Sequence, residues 1–372
     1  MKSIKVIICL LFIVSFANAQ GYEFTTIHEC ERLPVISQDK TGTCWSFSTS
    51  SFLESEIIRI NGKKIDLSEM YQVRQTYPMK AENYIHRQGK TQFSEGGLAH
   101  DVLNSVREYG LIPAEAYDGL LANENKHNHA EMVEVLESML KTYVSNSTKR
   151  VSTQWKSAIS SVLDVYIGEI PMDFIYDGKK YTPKSFQEMT KINPNDYITL
   201  TSFTHEPFYK QVILNIPDNF SNGMMYNLPL DEFMENIDYA LAQGFTLSLD
   251  CDVSEPTFSA KTGVAVIPKN SDDMKSIISE IKPEKEITQS FRQEEFESYS
   301  TTDDHLMHII GKAKDQKGNV YYKVKNSWGS DASKVAYDGY VYMSTSFLRL
   351  KSISVLLHKD GLTSKTKNAI KL

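Results

Sequence analysis

Apolar residues recur at helical spacing through the first part of the chain and at alternate positions through its last third. Between Cys44 and Ile60, the side chains of Trp45, Phe52, Leu53, Ile57 and Ile60 fall within an arc of about 140° at 100° per residue, which predicts an amphipathic helix. Gly42 and Thr43 precede it as turn and N-cap, and Asn61-Gly62 end it. Leu67-Ser68-Glu69 starts a second helix through a capping Ser, and the polar Phe93-Ser94-Glu95-Gly96-Gly97 leads into a third from Leu98 to about Tyr109. Residues 128–145 and 151–167 predict two more, parted by Ser145-Asn146-Ser147-Thr148. Asp177-Gly178 and Tyr181-Thr182-Pro183 predict a turn into a short helix, and Leu230 to Gln243 returns to helical spacing. Alternation predicts strands at 197–200, 211–214, 245–249, 263–267, 306–313, 320–325, 339–343 and 352–357. The expected class is therefore α+β, helical at the start, mixed in the middle and mainly β at the end.

The first 19 residues read differently. A positive start (Met1, Lys2, Lys5), an apolar run from Val6 to Phe16 and the small-x-small ending Ala17-Asn18-Ala19 before Gln20 predict a secretory signal peptide over residues 1–19, cut after Ala19. That run is shorter than the roughly 20 residues a membrane span needs, and no second one of its length follows, so a secreted or periplasmic location without a membrane span is expected. The absence of a Cys just after the cut argues against a lipid anchor. Among 372 residues, 40 basic against 47 acidic give a formal charge of -7 with no long block of one sign, so no nucleic-acid partner is expected. Four cysteines exclude a disulfide scaffold. One leaves with the signal, and Cys30, Cys44 and Cys251 remain, an odd number that implies at least one free thiol.

Cys44 stands at a helix N-terminus, where the partial positive charge stabilises a thiolate. A packed thiol is the plain alternative. The run Gln38-Asp39-Lys40-Thr41-Gly42-Thr43-Cys44-Trp45-Ser46-Phe47 resembles the active-site helix of papain-like cysteine peptidases. The resemblance implies Cys44 as nucleophile, with the Gln38 amide and the Cys44 N–H as donors to the oxyanion. Asp304-His305-Leu306-Met307, followed 21 positions after His305 by Asn326 in Lys325-Asn326-Ser327-Trp328-Gly329, is similar to the family's His strand and Asn-Ser-Trp motif. It implies His305 as base, Asn326 as its orienting partner and Trp328 as the shield of that hydrogen bond. His308 is the rival. Residues three apart on a strand point to opposite faces, so only one can face the cleft, and the motif favours His305. The same geometry weakens a His-x-x-His metal site, and neither metal nor cofactor is expected. Leu67-Ser68-Glu69 matches a family helix start. Ser94-Glu95-Gly96-Gly97 matches the family loop whose backbone pairs with an extended substrate, which places Gly96 and Gly97, with Trp328, among the residues expected to bind substrate.

From Cys44 to His305 is 261 positions, where papain-like enzymes usually place the His roughly 130 to 150 residues on. Tyr109-Gly110-Leu111-Ile112-Pro113, Tyr181-Thr182-Pro183-Lys184, Asp196 to Leu200, the helix before Gly244, Asp250-Cys251-Asp252-Val253, Arg292-Gln293 and the Thr301-Thr302-Asp303-Asp304 approach to His305 resemble the bleomycin hydrolase and aminopeptidase C branch. This implies a papain-like fold: a helical half over 20–115 and a β-rich, barrel-like half over 251–372 flanking a cleft, with an inserted α/β region over 116–250. It also implies peptide substrates, aminopeptidase action and possible hexameric assembly. Too few residues separate Gln20 from Cys44 for an inhibitory pro-segment. In this branch the C-terminal carboxylate is associated with the substrate amine, but the basic tail Thr363 to Leu372 departs from the short family tail, leaving a cleft-filling end or a disordered one. Cys251 is expected to be a packed thiol, with a Cys30–Cys251 disulfide as the alternative, and Asn146-Ser147-Thr148 and Asn219-Phe220-Ser221 are glycosylation sequons. The leading expectation is a secreted aminopeptidase. A papain-like endopeptidase and a catalytically silent peptide-binding protein are the alternatives.

Overall fold

A computed structural model describes residues 21–146 and 150–372. The expected signal peptide, and all but Asn146 of the first sequon, lie outside the described residues. Strand β1 (Phe24–Glu29) precedes helices α1 (Cys44–Asn61), α2 (Glu69–His86), α3 (Ala99–Tyr109), α4 (Ala130–Ser145) and α5 (Trp155–Ile167). Ser68 caps α2 as its position predicts, its Oγ accepting from Tyr71 N at 3.0 Å. Helix α1 departs from the amphipathic expectation, because every residue from Cys44 to Ile57 is buried. Its polar stripe does not face water. Ser46 Oγ donates to Glu69 O (2.8 Å), Ser48 Oγ to Met307 O (2.7 Å) and Ser55 Oγ to Glu31 O (2.8 Å), so short hydroxyls let neighbouring backbone approach on all sides.

The middle of the chain contributes the hairpin β2 (Phe174–Tyr176) and β3 (Lys179–Tyr181), whose Asp177-Gly178 turn has both φ positive (47° and 71°), then α6 (Pro183–Thr190). Next come β4 (Tyr197–Thr201), β5 (Lys210–Ile213), β6 (Met224–Asn227), α7 (Leu230–Ala242), β7 (Leu247–Cys251), β8 (Phe258–Ser259) and β9 (Val264–Ala265). The strand expected over 263–267 is short because Ile267 N leaves the ladder to bond Glu284 Oε2 at 2.8 Å and Pro268 has no N–H to give. Helix α8 (Gln289–Glu297) is an element the pattern does not predict: its sequence is polar, and its signal is the cap, Thr288 Oγ1 accepting from Phe291 N at 3.1 Å. The chain closes with β10 (His305–Asp315), β11 (Val320–Lys325), β12 (Tyr340–Ser344), α9 (Thr345–Lys351), β13 (Ser352–His358) and α10 (Ser364–Ile370).

Eleven strands form one sheet in the order β5-β6-β4-β13-β7-β10-β11-β12-β9-β8, with β1 added on β10. Gly311 permits that addition: a Cβ there would stand 2.3 Å from His28 O. The two faces of the centre carry different layers. Helix α1 packs on one, where Leu306, Ile353 and Leu356 join the core of α1 to α5. Helix α7 packs on the other, over Leu249, Met307, Ile309, Val355 and Leu357. Buried Arg292 of α8 donates to the last-turn carbonyls of Arg349 (2.9 Å) and Leu350 (3.1 Å) on α9, over the ring of Phe203. No helix among the described residues is long and apolar enough to cross a membrane.

The fold decides two open points: Cys251 is a packed thiol as expected, and the tail follows neither of its two alternatives. Cys30, Cys44 and Cys251 are all free thiols. Cys30 lies against the carbonyl of Phe245 at 3.9 Å, whereas Cys251 sits on β7 opposite His305 and Ser352, so no Cys30–Cys251 disulfide forms. The tail is neither disordered nor in the cleft. Thr363 caps α10, Asn236 Nδ2 of α7 donates to Thr366 Oγ1 at 2.8 Å, Lys365 pairs with Glu232, and Ile370 is buried in the α7 core. The alternation of Ile370 with polar residues hides a helical face too short to stand out. Ile370→Ala is expected to cost about 3 kcal/mol of stability with kcat/KM unchanged. Chemical denaturation and steady-state rates measure both, and a lost rate at unchanged stability would place the tail in the cleft instead.

Candidate active site

Cys44 is the first residue of α1. The turn before it is clamped by the loop that leads into α3: Gly42 N donates to Glu95 Oε2 at 2.6 Å, and Trp45 Nε1 to Glu95 O at 2.9 Å. Thr43 occupies the N-cap position but turns its hydroxyl to Thr41 Oγ1 at 2.7 Å, so its side chain takes none of the first-turn N–H groups. Gln38 is fixed at both ends of its amide. Oε1 accepts from Ser327 Oγ at 2.5 Å, and Nε2 donates to Thr41 O at 2.6 Å, leaving its second hydrogen for another acceptor. Gln38 N donates to Ser327 O at 2.9 Å and Ser37 bridges Trp328, so the segments bearing Gln38 and Asn326 run side by side.

His305 opens β10, and its Nε2 lies 2.8 Å from Asn326 Oδ1. That oxygen also accepts from Ser327 N at 2.7 Å, which settles the amide orientation. Nε2 therefore carries the proton and Nδ1 is left as the base. Trp328, 39% exposed, lies over the imidazole with ring centroids 5.0 Å apart and has its other contact on Phe258. The backbone of Leu306, next to His305, is close enough to Cys44 to favour its thiolate. His308 faces the other way, as the strand geometry predicts: Nδ1 meets Ser51 Oγ of α1 at 2.9 Å, and burial pushes it well below the ordinary histidine range.

Burial pushes the Cys44 thiol up to about 12, with the Leu306 bond opposing and the charges of Asp218, Asp303 and Asp250 adding to the rise. Burial pushes His305 down to about 4, with Asn326 opposing. Neither charge is favoured alone. Transfer of one proton from sulfur to imidazole creates both together, so that their attraction offsets the loss of solvent.

Gly97 packs on Trp45, where a Cβ would stand 3.2 Å from the indole. Gly96 is covered by Asp218, and Lys80 donates to its carbonyl. Cys44, His305, Asn326, Gln38, Trp328, Gly96 and Gly97 thus belong to one region around the N-terminus of α1. Sequence reading missed Ser327, which stood inside the quoted motif, and Asp218, whose Ile216-Pro217-Asp218-Asn219 context carries no signal.

With this geometry in place, comparison with known proteins is specific. The sequence profile of the Peptidase C1-like family matches residues 15–372. The chain belongs to that family. Its resemblance to the bleomycin hydrolase and aminopeptidase C type is matched by aminopeptidase C of Lactococcus lactis subsp. lactis (strain IL1403), 23% identical over 89% of this chain and 82% of the relative. Aminopeptidase E of Lactobacillus helveticus is 22% identical over 90% and 82%, and a mitochondrial cysteine proteinase 1 of Saccharomyces cerevisiae (strain JAY291) 22% over 87% and 74%. The crystal structure of PepW from Lactobacillus rhamnosis HN001 superposes with a TM-score of 0.72 at 19% identity, covering 93% of this chain and 84% of that one, which places the two in one fold.

Because Asn326 Oδ1 favours the protonated ring, removing it lowers the imidazole further. In a Cys44→Ala variant an NMR titration of His305 is expected to give a midpoint well below 6.5, and Asn326→Ala a lower one still. A midpoint at or above 6.5 in the first variant would contradict the burial described here.

Proposed function

We propose that the chain is an exported thiol aminopeptidase that hydrolyses peptide bonds through Cys44, His305, Asn326 and Gln38. The observation that carries this reading is the His305 Nε2 to Asn326 Oδ1 hydrogen bond, which leaves Nδ1 free to take the proton of the Cys44 thiol. The thiolate attacks the peptide carbonyl and forms the C–S bond. The oxyanion is received by the second Nε2 hydrogen of Gln38 and the N–H of Cys44. His305 returns its proton to the departing amine, then activates water to release the acyl group and restore the thiol. Trp328 keeps solvent from the His305 to Asn326 bond, and the 94–97 loop, expected to bind substrate, lies against Trp45 beside the thiol. The names of the aminopeptidase relatives support the exopeptidase choice, and the residues 1–19 pattern supports export.

One observation favours a second reading. The C-terminal helix packs on α7 rather than in the cleft, and a cleft without a tail suits an endopeptidase. A silent binding protein would have no use for two fixed amides, Gln38 and Asn326, both held by Ser327.

Under reducing conditions the protein without residues 1–19 is expected to cleave an alanyl fluorogenic substrate. Cys44→Ala should abolish turnover, and Gln38→Ala should lower kcat by about 100- to 1000-fold. Equal cleavage of the N-acetylated substrate would favour the endopeptidase, and no Cys44-dependent turnover of any peptide would sink the hydrolytic reading.

A further inference from the structure

A second thiol in the molecule has an imidazole beside it. Cys30 stands just past the end of β1, two residues after His28, and alternation puts both side chains on the same face of that extended stretch. Cys30 Sγ lies 3.5 Å from His28 Nε2. The sheet holds the pair in place: Cys30 N donates to Ile310 O at 2.8 Å, and His28 and Glu29 pair with Lys312 and Gly311 on β10. His28 and Cys30 line a cavity of about 320 Å³ together with Glu31, with Glu56 and Arg59 from the C-terminal half of α1, and with Thr246 just before β7. Glu56 is 12 residues after Cys44 (56 minus 44), about 18 Å along the helix, so this pair is separate from the catalytic one.

The spacing of the two atoms matches a metal-bound pair. Zinc holds a thiolate at about 2.3 Å and an imidazole nitrogen at about 2.1 Å, and at the tetrahedral angle those bonds put S and N about 3.6 Å apart. A thiol-to-imidazole hydrogen bond would also hold them near this distance, so the surroundings decide. Thr246 is 1% exposed, lines the same cavity, and its Oγ1 has no hydrogen-bond partner. Water carried by an ion in the cavity can donate to it. Glu31 pairs only with exposed Lys64 at 3.2 Å, a surface contact weak enough to yield its carboxylate to an ion. The electrostatics agree. Burial pushes the Cys30 thiol up to about 11, with the charges of Glu56 and Glu29 adding to the rise and Arg32 opposing. A field that disfavours a bare thiolate favours a divalent cation, and the cation in turn lets the sulfur lose its proton.

We propose that Cys30 and His28 bind one divalent cation of the zinc class, with Glu31 and water in its remaining positions. Binding exchanges the S–H bond for an S–metal bond: the ion takes the thiolate sulfur and the lone pair of Nε2, the ring proton stays on Nδ1, and the thiol proton leaves to solvent. No electron is transferred. A sulfur and nitrogen donor set selects zinc over magnesium or calcium, which take oxygen. Through the water on Thr246 the ion joins β1 to the approach to β7, which stabilises the folded chain whether or not Cys44 turns over substrate.

The test uses the Cys44→Ala protein, reduced and then freed of reductant, so that the catalytic sulfur cannot take the metal. Cobalt(II) is expected to give a thiolate-to-metal charge-transfer band in the near ultraviolet that saturates at about one ion per chain, and zinc should abolish it by displacement. Zinc should also raise the melting temperature and protect Cys30 from iodoacetamide, read by mass spectrometry of its peptide, whereas magnesium at the same concentration should do neither. His28→Ala should weaken cobalt binding by at least about tenfold, and Cys30→Ser should remove the band. Absence of a band at millimolar cobalt, a band kept in Cys30→Ser, unchanged affinity in His28→Ala, or equal protection by magnesium would each overturn the proposal. If Cys30→Ser fails to fold, the protection of Cys30 and the His28→Ala shift still decide it, and none of these readouts depends on peptide cleavage.

Discussion

The seam between α1 and β10 is the constraint on which the site depends. Ser48, one turn after Cys44, donates to the carbonyl of Met307, two residues after His305, and Ser51, nearly another turn on, meets His308. Ser248 of β7 bonds the Ser48 hydroxyl from the third side at 2.8 Å. A helix carrying the thiol and a strand carrying the base are thereby locked at fixed rotation and rise through groups with almost no conformational freedom. Longer polar side chains in place of these serines would hold helix and strand apart. The stripe of Ser and Thr along α1 is the residue pattern that lets a helix be buried on every side and still satisfy its polar atoms.

The same burial creates the electrical problem of the site. A dry environment strengthens every interaction between Cys44, His305 and the neighbouring carboxyl groups, but it disfavours each isolated charge. The resting molecule answers with neutral side chains held by oriented dipoles: the Asn326 oxygen on the imidazole, the Ser327 N–H on that oxygen, the Ser327 hydroxyl on Gln38. None of these needs to reorganise when charge develops, which is where such preorganised dipoles are most effective. Asn326 bears the cost, since its Nδ2 is buried without a partner.

What the sequence made legible was whatever is local. The spacing of apolar residues located α1 to α5, α7 and the long strands, and the Gln-to-Cys and His-to-Asn intervals located four side chains that the fold brings to one region. Each of these is a short-range pattern with its own period or motif. Helix α8 escaped because its one large buried side chain, Arg292, is charged and finds its partners, the carbonyls of Arg349 and Leu350, far along the chain. Helix α10 escaped because its buried face is little more than Thr366 and Ile370. Asp218 escaped for the most general reason. Its meaning lies in touching Gly96, and contacts over such a separation are fixed by how the loop between β5 and β6 folds over the helical layer.

A second charged cluster bears on how Asn326 is held. Lys325, the last residue of β11 and 5% exposed, faces Glu54 of α1, Glu69 of α2 and Asp66 before it. Single carboxylate oxygens of those three residues all lie within 4.8 Å of one another. Burial pushes Glu54 up to about 8, with Lys325 opposing, and raises Glu69 as well. Burial lowers Lys325, with the three acids opposing. Such a set adds little net stability over well-packed apolar residues of the same volume, because desolvation cancels most of the attraction. Its contribution is directional. Apolar side chains would let the end of β11 slide against α1 and α2 at little cost, whereas a lone ammonium among three carboxyl groups has one low-energy position. The next residue is Asn326. The cluster thus borders the residue that orients His305, while Ser327 bonds both Asn326 and Gln38, so that the base and the Gln38 donor are referred to the same short stretch of chain.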